Sequence, residues 1–219
     1  MKTFFTIFAF ALLLSCASNE TNTTVHNSTN HAPANNTAAN VDHNSMGHGS
    51  SSDHSTMSSS EGAATAPYDL QFIDTMIAHH QGAIDMANLA ATRAQHQELK
   101  DLAANIIDVQ EREIARMGEL REKWFAEKTK AINMELPGMS HGMGGMDLKK
   151  LEKLTGNDFD IEFLKQMIAH HEGAIDMAKD LRRQDSHAEL KELAEDIQSA
   201  QDAEIKQMRD WLKAWQTKN

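Results

Sequence analysis

The chain has 219 residues and a formal charge of −11 with histidine neutral, from 21 Lys and Arg against 32 Asp and Glu. That acidic balance leaves no basic patch to displace counterions from a phosphate backbone, which argues against a nucleic-acid partner. The single cysteine rules out an internal disulfide, and three prolines with few aromatics make helix the default, so packing or metal must hold the fold.

Lys2 followed by the apolar run Phe4 to Leu14 has the charge and length of a secretory signal, over residues 1–15, and is too short for a stable membrane span. The chain is therefore expected to be exported. Leu13-Leu14-Ser15-Cys16 looks like the lipobox of bacterial lipoproteins, in which the cysteine receives lipid after cleavage. This implies lipidation at Cys16 and a membrane anchor in the cell envelope, facing the periplasm. Ala17 is not an inner-membrane retention signal of the Asp type, so the outer membrane is the expected address in a two-membrane bacterium. Residues 16–66 are rich in Ser, Thr, Asn, Ala and Gly and lack apolar periodicity, the composition of a disordered tether. His43, Met46, His48, His54 and Met57 scatter soft donors along it.

At Tyr68 the pattern changes. Phe72, Met76, Ala83 and Met86 fall on one helical stripe, with Ile73, Ile77 and Ile84 beside it. A first helix ends near residues 93–95, and a second runs from about Gln97 to the neighbourhood of Trp124. The segment then repeats: residues 68–124 align without a gap on 159–215 at an offset of 91, and 25 of the 57 pairs are identical. Ser186 with Glu189 has the spacing of a capping box at the start of the last helix. Two helical hairpins, each with an apolar face that it cannot bury alone, most simply pair into one pseudo-symmetric all-α four-helix bundle over residues 67–219. The linker, 125–158, carries Leu136-Pro137-Gly138 and then Met139-Ser140-His141-Gly142-Met143-Gly144-Gly145-Met146, which reads as too glycine-rich for helix. A short helix is expected over residues 147–154.

The chemistry concentrates in Met76-Ile77-Ala78-His79-His80-Gln81-Gly82-Ala83-Ile84-Asp85-Met86, answered by Met167-Ile168-Ala169-His170-His171-Glu172-Gly173-Ala174-Ile175-Asp176-Met177. On a helix Met76 lies within one turn of His79 and His80, and Met86 two turns beyond His79, so thioether and imidazole share a face. With the turn near residue 95, antiparallel pairing sets Gln110 opposite His79, Glu113 opposite Met76 and Met117 opposite Phe72. Gln201, Glu204 and Met208 take the same places in the second copy. Imidazole with thioether and no thiolate favours Cu(I) and its soft analogue Ag(I), and imidazoles alone also accept Cu(II) or Zn(II). Met139, His141, Met143 and Met146 of the linker add four soft ligands that could wrap one ion. Adjacent histidines point about 100° apart, however, so at most one of each pair can sit centrally on a core stripe, and the methionines could be plain core filling. Gly82 and Gly173, costly inside helices, suggest close packing beside the histidines. His96 and His187 open the second helices, where a helix-start role and a separate peripheral contact stay equally open.

No Ser-His-Asp arrangement in a nucleophile elbow, no phosphate loop and no free thiol after lipidation is present, so a binding protein is a better class than an enzyme. A di-iron oxidase would need Glu-x-x-His on two helices, and no Glu precedes His79 or His80 by three residues. An envelope scaffold whose histidines merely pack is the remaining alternative.

The run of Phe, Met-Ile-x-His-His-x-Gly-Ala-Ile-x-Met-Ala, and the downstream Leu-x-x-Leu-Ala-x-x-Ile-x-x-x-Gln-x-x-Glu-Ile-x-x-Met resemble the family of domain of unknown function 305, across both hairpins. The resemblance implies a ferritin-like helical architecture. It also implies kinship with exported copper-binding proteins that support copper resistance, with His79, His80, His170, His171 and their methionine neighbours as copper ligands. The resulting expectation is a copper protein that sequesters or relays the metal, with a copper-handling protein as its partner.

Overall fold

The computed structural model of the chain describes residues 57–216. The expected signal peptide, Cys16 and the expected tether through residue 56, with His43, Met46, His48 and His54, lie outside the described residues. Four long helices dominate: α1 (Tyr68–Arg93), α2 (Gln97–Phe125), α5 (Gly156–Arg183) and α6 (Ala188–Gln216), with two short ones in the linker, α3 (Met139–Gly144) and α4 (Leu148–Leu151). Helix α1 starts directly after Pro67, whose fixed φ suits a helix entry and whose missing N–H costs nothing there.

The two hairpins form as their repeats predict, α1 against α2 and α5 against α6. Sixteen of the 26 residues of α1 are buried but only seven of the 29 in α2, so α1 is central and α2 is a flank. Helix α5 is buried like α1 and α6 like α2. The central pair is antiparallel: Tyr68, at the start of α1, donates its hydroxyl to Asp180 near the end of α5, and Ala94, just past α1, bridges to Gly156 at the start of α5. The buried side chains, among them Phe72, Leu99, Ile106, Phe163 and Leu190, form one continuous apolar cluster that also takes in the linker methionines.

Each hairpin caps the other. Asp160, wholly buried in the second turn of α5, accepts hydrogen bonds from the backbone of Gln95 (3.0 Å) and His96 (2.9 Å) and from His96 Nδ1 (2.6 Å), at the start of α2. Its counterpart Asp69, in α1, accepts from the backbone of His187 (3.0 Å) and from His187 Nδ1 (2.5 Å), at the start of α6. The imidazoles are pinned on their other side by the repeat tryptophans: His96 stacks on Trp215 at 3.9 Å and His187 on Trp124 at 4.0 Å. A carboxylate at a helix N-terminus answers both the orphan N–H groups and the positive end of the dipole. His96 and His187 are thus the ends of two symmetric clasps.

Three local expectations are corrected. The Ser186–Glu189 capping box does not form: Ser186 Oγ has no partner, and Glu189 pairs with Lys123 at 2.9 Å, because Asp69 of the other hairpin already supplies the cap. Met139–Gly144 is helical despite its glycines. Gly138 (φ 87°) starts the turn on a left-handed conformation, and Gly142 then lies directly on Gly173 of α5, so tertiary packing overrides poor propensity. Residues 57–66 of the expected disordered tether are ordered, with a short 3₁₀ turn at Ala63–Thr65. Their partners lie far along the chain: Ser60 exchanges hydrogen bonds with Ile132, and Ser59 Oγ accepts from Met134 N–H. That linker segment is itself held to α1, since the N–H groups of Ala131 and Asn133 donate to Asp74 (2.8 Å) and Thr75 (2.9 Å).

Removing one clasp tests the arrangement. Asp160→Ala strips the cap from α2 and leaves the part-buried N–H groups of Gln95 and His96 without their acceptor, so urea unfolding followed by circular dichroism is expected to show a loss of about 2 kcal/mol. A loss confined to a few tenths would mean that the cross-hairpin cap does not hold the bundle.

Candidate metal centre

The two central helices cross at the histidine motifs. His79 and His170, with 0% and 1% exposure, face each other across the α1–α5 interface with ring centroids 3.7 Å apart and planes inclined by 38°. None of their four ring nitrogens has a hydrogen-bond partner. The neighbouring histidines, rotated about 100° around each helix, turn into their own hairpins. His80 Nε2 meets Glu113 at 2.8 Å and His171 Nε2 meets Glu204 at 2.7 Å. Both members of each pair are therefore buried, the first between hairpins and the second within one.

The glutamates lie one helical turn from the place that simple antiparallel pairing assigned them, opposite His80 and His171 instead of Met76 and Met167. The hairpin turn accounts for the displacement, because helical geometry resumes only at Gln97. A carboxylate accepting from Nε2–H fixes the tautomer and leaves the lone pair on Nδ1, and Nδ1 of His80 and of His171 is buried with no partner. Glu113 and Glu204 thus act on the histidines. Gln110 and Gln201, 2% and 3% exposed, add a further symmetric pair whose Oε1 atoms are also unpartnered. The repeat carried this signal, since both glutamines are identical in the two copies, yet a neutral amide does not announce itself as a site residue.

Burial holds His79 and His170 well below the usual histidine pKa, and the neighbouring imidazoles reinforce it: His80 and His171 for His79, His79 and His171 for His170. Both are neutral imidazoles at physiological pH, with lone pairs available to a cation. Unsatisfied buried polar atoms cost about 1–3 kcal/mol each, so four on the paired imidazoles at the crossing, with four more on the histidines and glutamines of the two hairpins, describe a place shaped for something other than folding.

Thioether sulfur reaches this point from the linker. The position that a Cβ would take on Gly82 is 3.2 Å from Met146 Sδ and 3.3 Å from His170 Nε2; on Gly142 it would be 2.4 Å from His79 Nε2. Glycine at 82 and 142 is what lets the linker and the two imidazoles share this space. Met76, Met86, Met117, Met139, Met143, Met167, Met177 and Met208 are all buried in the same apolar cluster. His141 is not brought to them: its side chain is 59% exposed and reaches Glu172 at 3.3 Å on the surface, so the four linker residues are divided between core and solvent. Among the described residues no three His, Cys, Asp or Glu side chains converge in a metal-holding group. A cation between His79 and His170 would draw its remaining ligands from thioethers, or from the unpartnered Nδ1 atoms of His80 and His171 after a shift of those rings.

Residues 69–212 match the model of the family described as Domain of unknown function (DUF305). The chain belongs to the DUF305 family. Among solved structures, CopM in its Cu(I)-bound form is 42% identical over 67% of this chain and 96% of its own, with a TM-score of 0.57. CopM in its Cu(II)-bound form is 44% identical over 67% and 97%, with a TM-score of 0.59. A DUF305 protein from Streptomyces coelicolor is 29% identical over 68% and 93%, also at 0.59. No curated protein matches the chain. The all-α fold of this chain is thus shared with these proteins.

The buried imidazoles set a pH dependence. Their folded-state pKa lies below the ordinary value of 6.5, so below that pH the unfolded chain binds protons that the folded apoprotein refuses. Stability of the metal-free protein is expected to be full above about pH 6.5 and to fall as the pH drops further, by up to about 1.4 kcal/mol per pH unit for each histidine. Thermal melts of the apoprotein across pH 4 to 8 read this directly. The double variant His79→Leu, His170→Leu should give a flatter curve, and an unchanged slope would refute the assignment.

Proposed function

We propose that this DUF305 protein is an exported copper-binding protein of the cell envelope, which sequesters or relays copper in a centre shared by its two hairpins. The observation that carries this reading is the His79–His170 pair: two neutral, buried imidazoles, facing each other across the pseudo-two-fold crossing, with every ring nitrogen unpartnered and Met146 Sδ nearby. The residues fit a soft ion. Imidazole and thioether without thiolate suit Cu(I) and Ag(I), with Cu(II) accepted through the imidazoles and Zn(II) held less well. CopM, a relative with over 40% identity, has solved forms with Cu(I), Cu(II) and Ag bound, which supports a metal of this class.

In this reading His79 and His170 hold the ion and Met146 completes the soft donor set. His80 and His171, oriented by Glu113 and Glu204, present Nδ1 as further donors. The chain's own chemistry is capture and release, without a catalytic step, and a copper-handling protein would receive the metal. Export rests on the signal-like residues 1–15, and a Streptomyces coelicolor family member carries the description of a secreted protein. Lipidation of Cys16 would tether the bundle to the outer membrane.

Equilibrium dialysis against Cu(I), Ag(I), Cu(II) and Zn(II) tests the site. His79→Leu with His170→Leu is expected to lose the most tightly held Cu(I) and Ag(I); unchanged stoichiometry would overturn the proposal. Glu113→Gln with Glu204→Gln should keep the stoichiometry and weaken copper affinity by about 10–100-fold, the usual effect of removing a partner that orients a ligand. Unaltered affinity in that variant would restrict the glutamates to a packing role.

A further inference from the structure

Ten buried side-chain nitrogen and oxygen atoms among the described residues have no hydrogen-bond partner, and eight belong to the central histidines and glutamines. The other two, Asp69 Oδ1 and Ser186 Oγ, lie together at one end of the bundle, where α1 and α6 begin. Both residues line a cavity of 410 Å³ whose walls include Tyr68, Phe125, Asp185 and His187. Asp69 is only 6% exposed.

The internal repeat supplies the control. At the opposite end Asp160 engages both carboxylate oxygens, Oδ1 on Gln95 N–H and Oδ2 on the His96 backbone and ring. At this end Oδ2 of Asp69 makes the same two bonds to His187, while Oδ1 makes none. Folding requires the cap and completes it with one oxygen. The second oxygen is left without a partner, buried in a residue that lines a space far larger than the roughly 30 Å³ occupied by one water.

The lining specifies what would fit. Asp69 Oδ1 and the Asp185 carboxylate accept only, and His187 Nδ1 is spent on Asp69. The Tyr68 hydroxyl is already committed to Asp180, which leaves the Ser186 hydroxyl as the one adaptable group. Acceptors therefore outnumber donors, carboxylates supply negative potential, and the rings of Tyr68 and Phe125 offer apolar faces and cation–π attraction. Asp69, Asp185 and His187 do not form a metal-holding group. We propose that this end cavity is a second binding site, for a primary ammonium or guanidinium group on a short apolar stem. The group must come from outside the tether, because residues 17–66 contain no Lys or Arg.

Backbone amide NMR of the metal-free protein, titrated with n-butylammonium, methylguanidinium, n-butanol and Ca²⁺, tests the site. The two organic cations should shift resonances around residues 68–69 and 185–187, with affinity of about 1 mM as befits ligands of so few heavy atoms. Their binding should leave the central histidine resonances unmoved, which separates this proposal from the copper reading. Ser186→Ala and Asp185→Asn, neither of which touches the cap, should each weaken binding at least threefold. N-acetyl-lysine amide binding as well as butylammonium would assign the site to a basic side chain of a partner protein, whereas binding of the free amine alone would assign it to a small-molecule amine. No shift with either cation, equal shifts with butanol, a response to Ca²⁺ in their place, or wild-type affinity in both variants would each overturn the proposal.

Discussion

The carboxylates of Asp69 and Asp160 reach out of one hairpin to cap the second helix of the other, and the register of the whole bundle follows from that exchange. A hairpin of this kind has orphan N–H groups at the start of its outer helix and no residue of its own placed to meet them. Because each copy borrows the cap from its twin, the hairpins cannot slide along one another without breaking both clasps. The stacked His187–Trp124 and His96–Trp215 pairs tie the far ends of the outer helices into the same two points. With both ends secured, the midpoints of α1 and α5 must meet, and there His79 and His170 stand.

Fold and site therefore divide the polar residues of the repeat between them. Those at the helix ends form the two clasps and contribute to stability, with Asp69 Oδ1 the one clasp oxygen left without a partner. The ones at the crossing are buried and unsatisfied, a cost that only a large apolar cluster on every side can carry. The Glu113 and Glu204 bonds reduce that cost at His80 and His171 and at the same time fix where those rings present their lone pairs.

The linker breaks the two-fold symmetry. Helix α3 lies on Gly173 and brings Gly142 against His79, while Met146 is brought to Gly82 beside His170. Two imidazoles that are equivalent by sequence are thus inequivalent in their surroundings: one faces backbone, the other a thioether. The end cavity repeats the lesson, since the same Asp is saturated in one copy and half-used in the other.

Much of this was legible in the residues. Apolar periodicity and the 91-residue offset determine four helices in two hairpins, with boundaries close to those observed at Arg93 and Gln97, because helix formation and amphipathicity are properties of neighbours three and four apart. The Met-Ile-Ala-His-His motif and its soft donors were equally plain. Tertiary structure alone decided what each histidine faces, since two adjacent residues differ by about 100° and only the crossing of α1 and α5 says which direction is the interface. It alone made a helix of Met139–Gly144, ordered residues 57–66 against a segment some seventy positions away, and moved the cap of α6 from Ser186 to Asp69. Each of those outcomes rests on a contact between parts of the chain far apart in sequence, which local pattern does not encode.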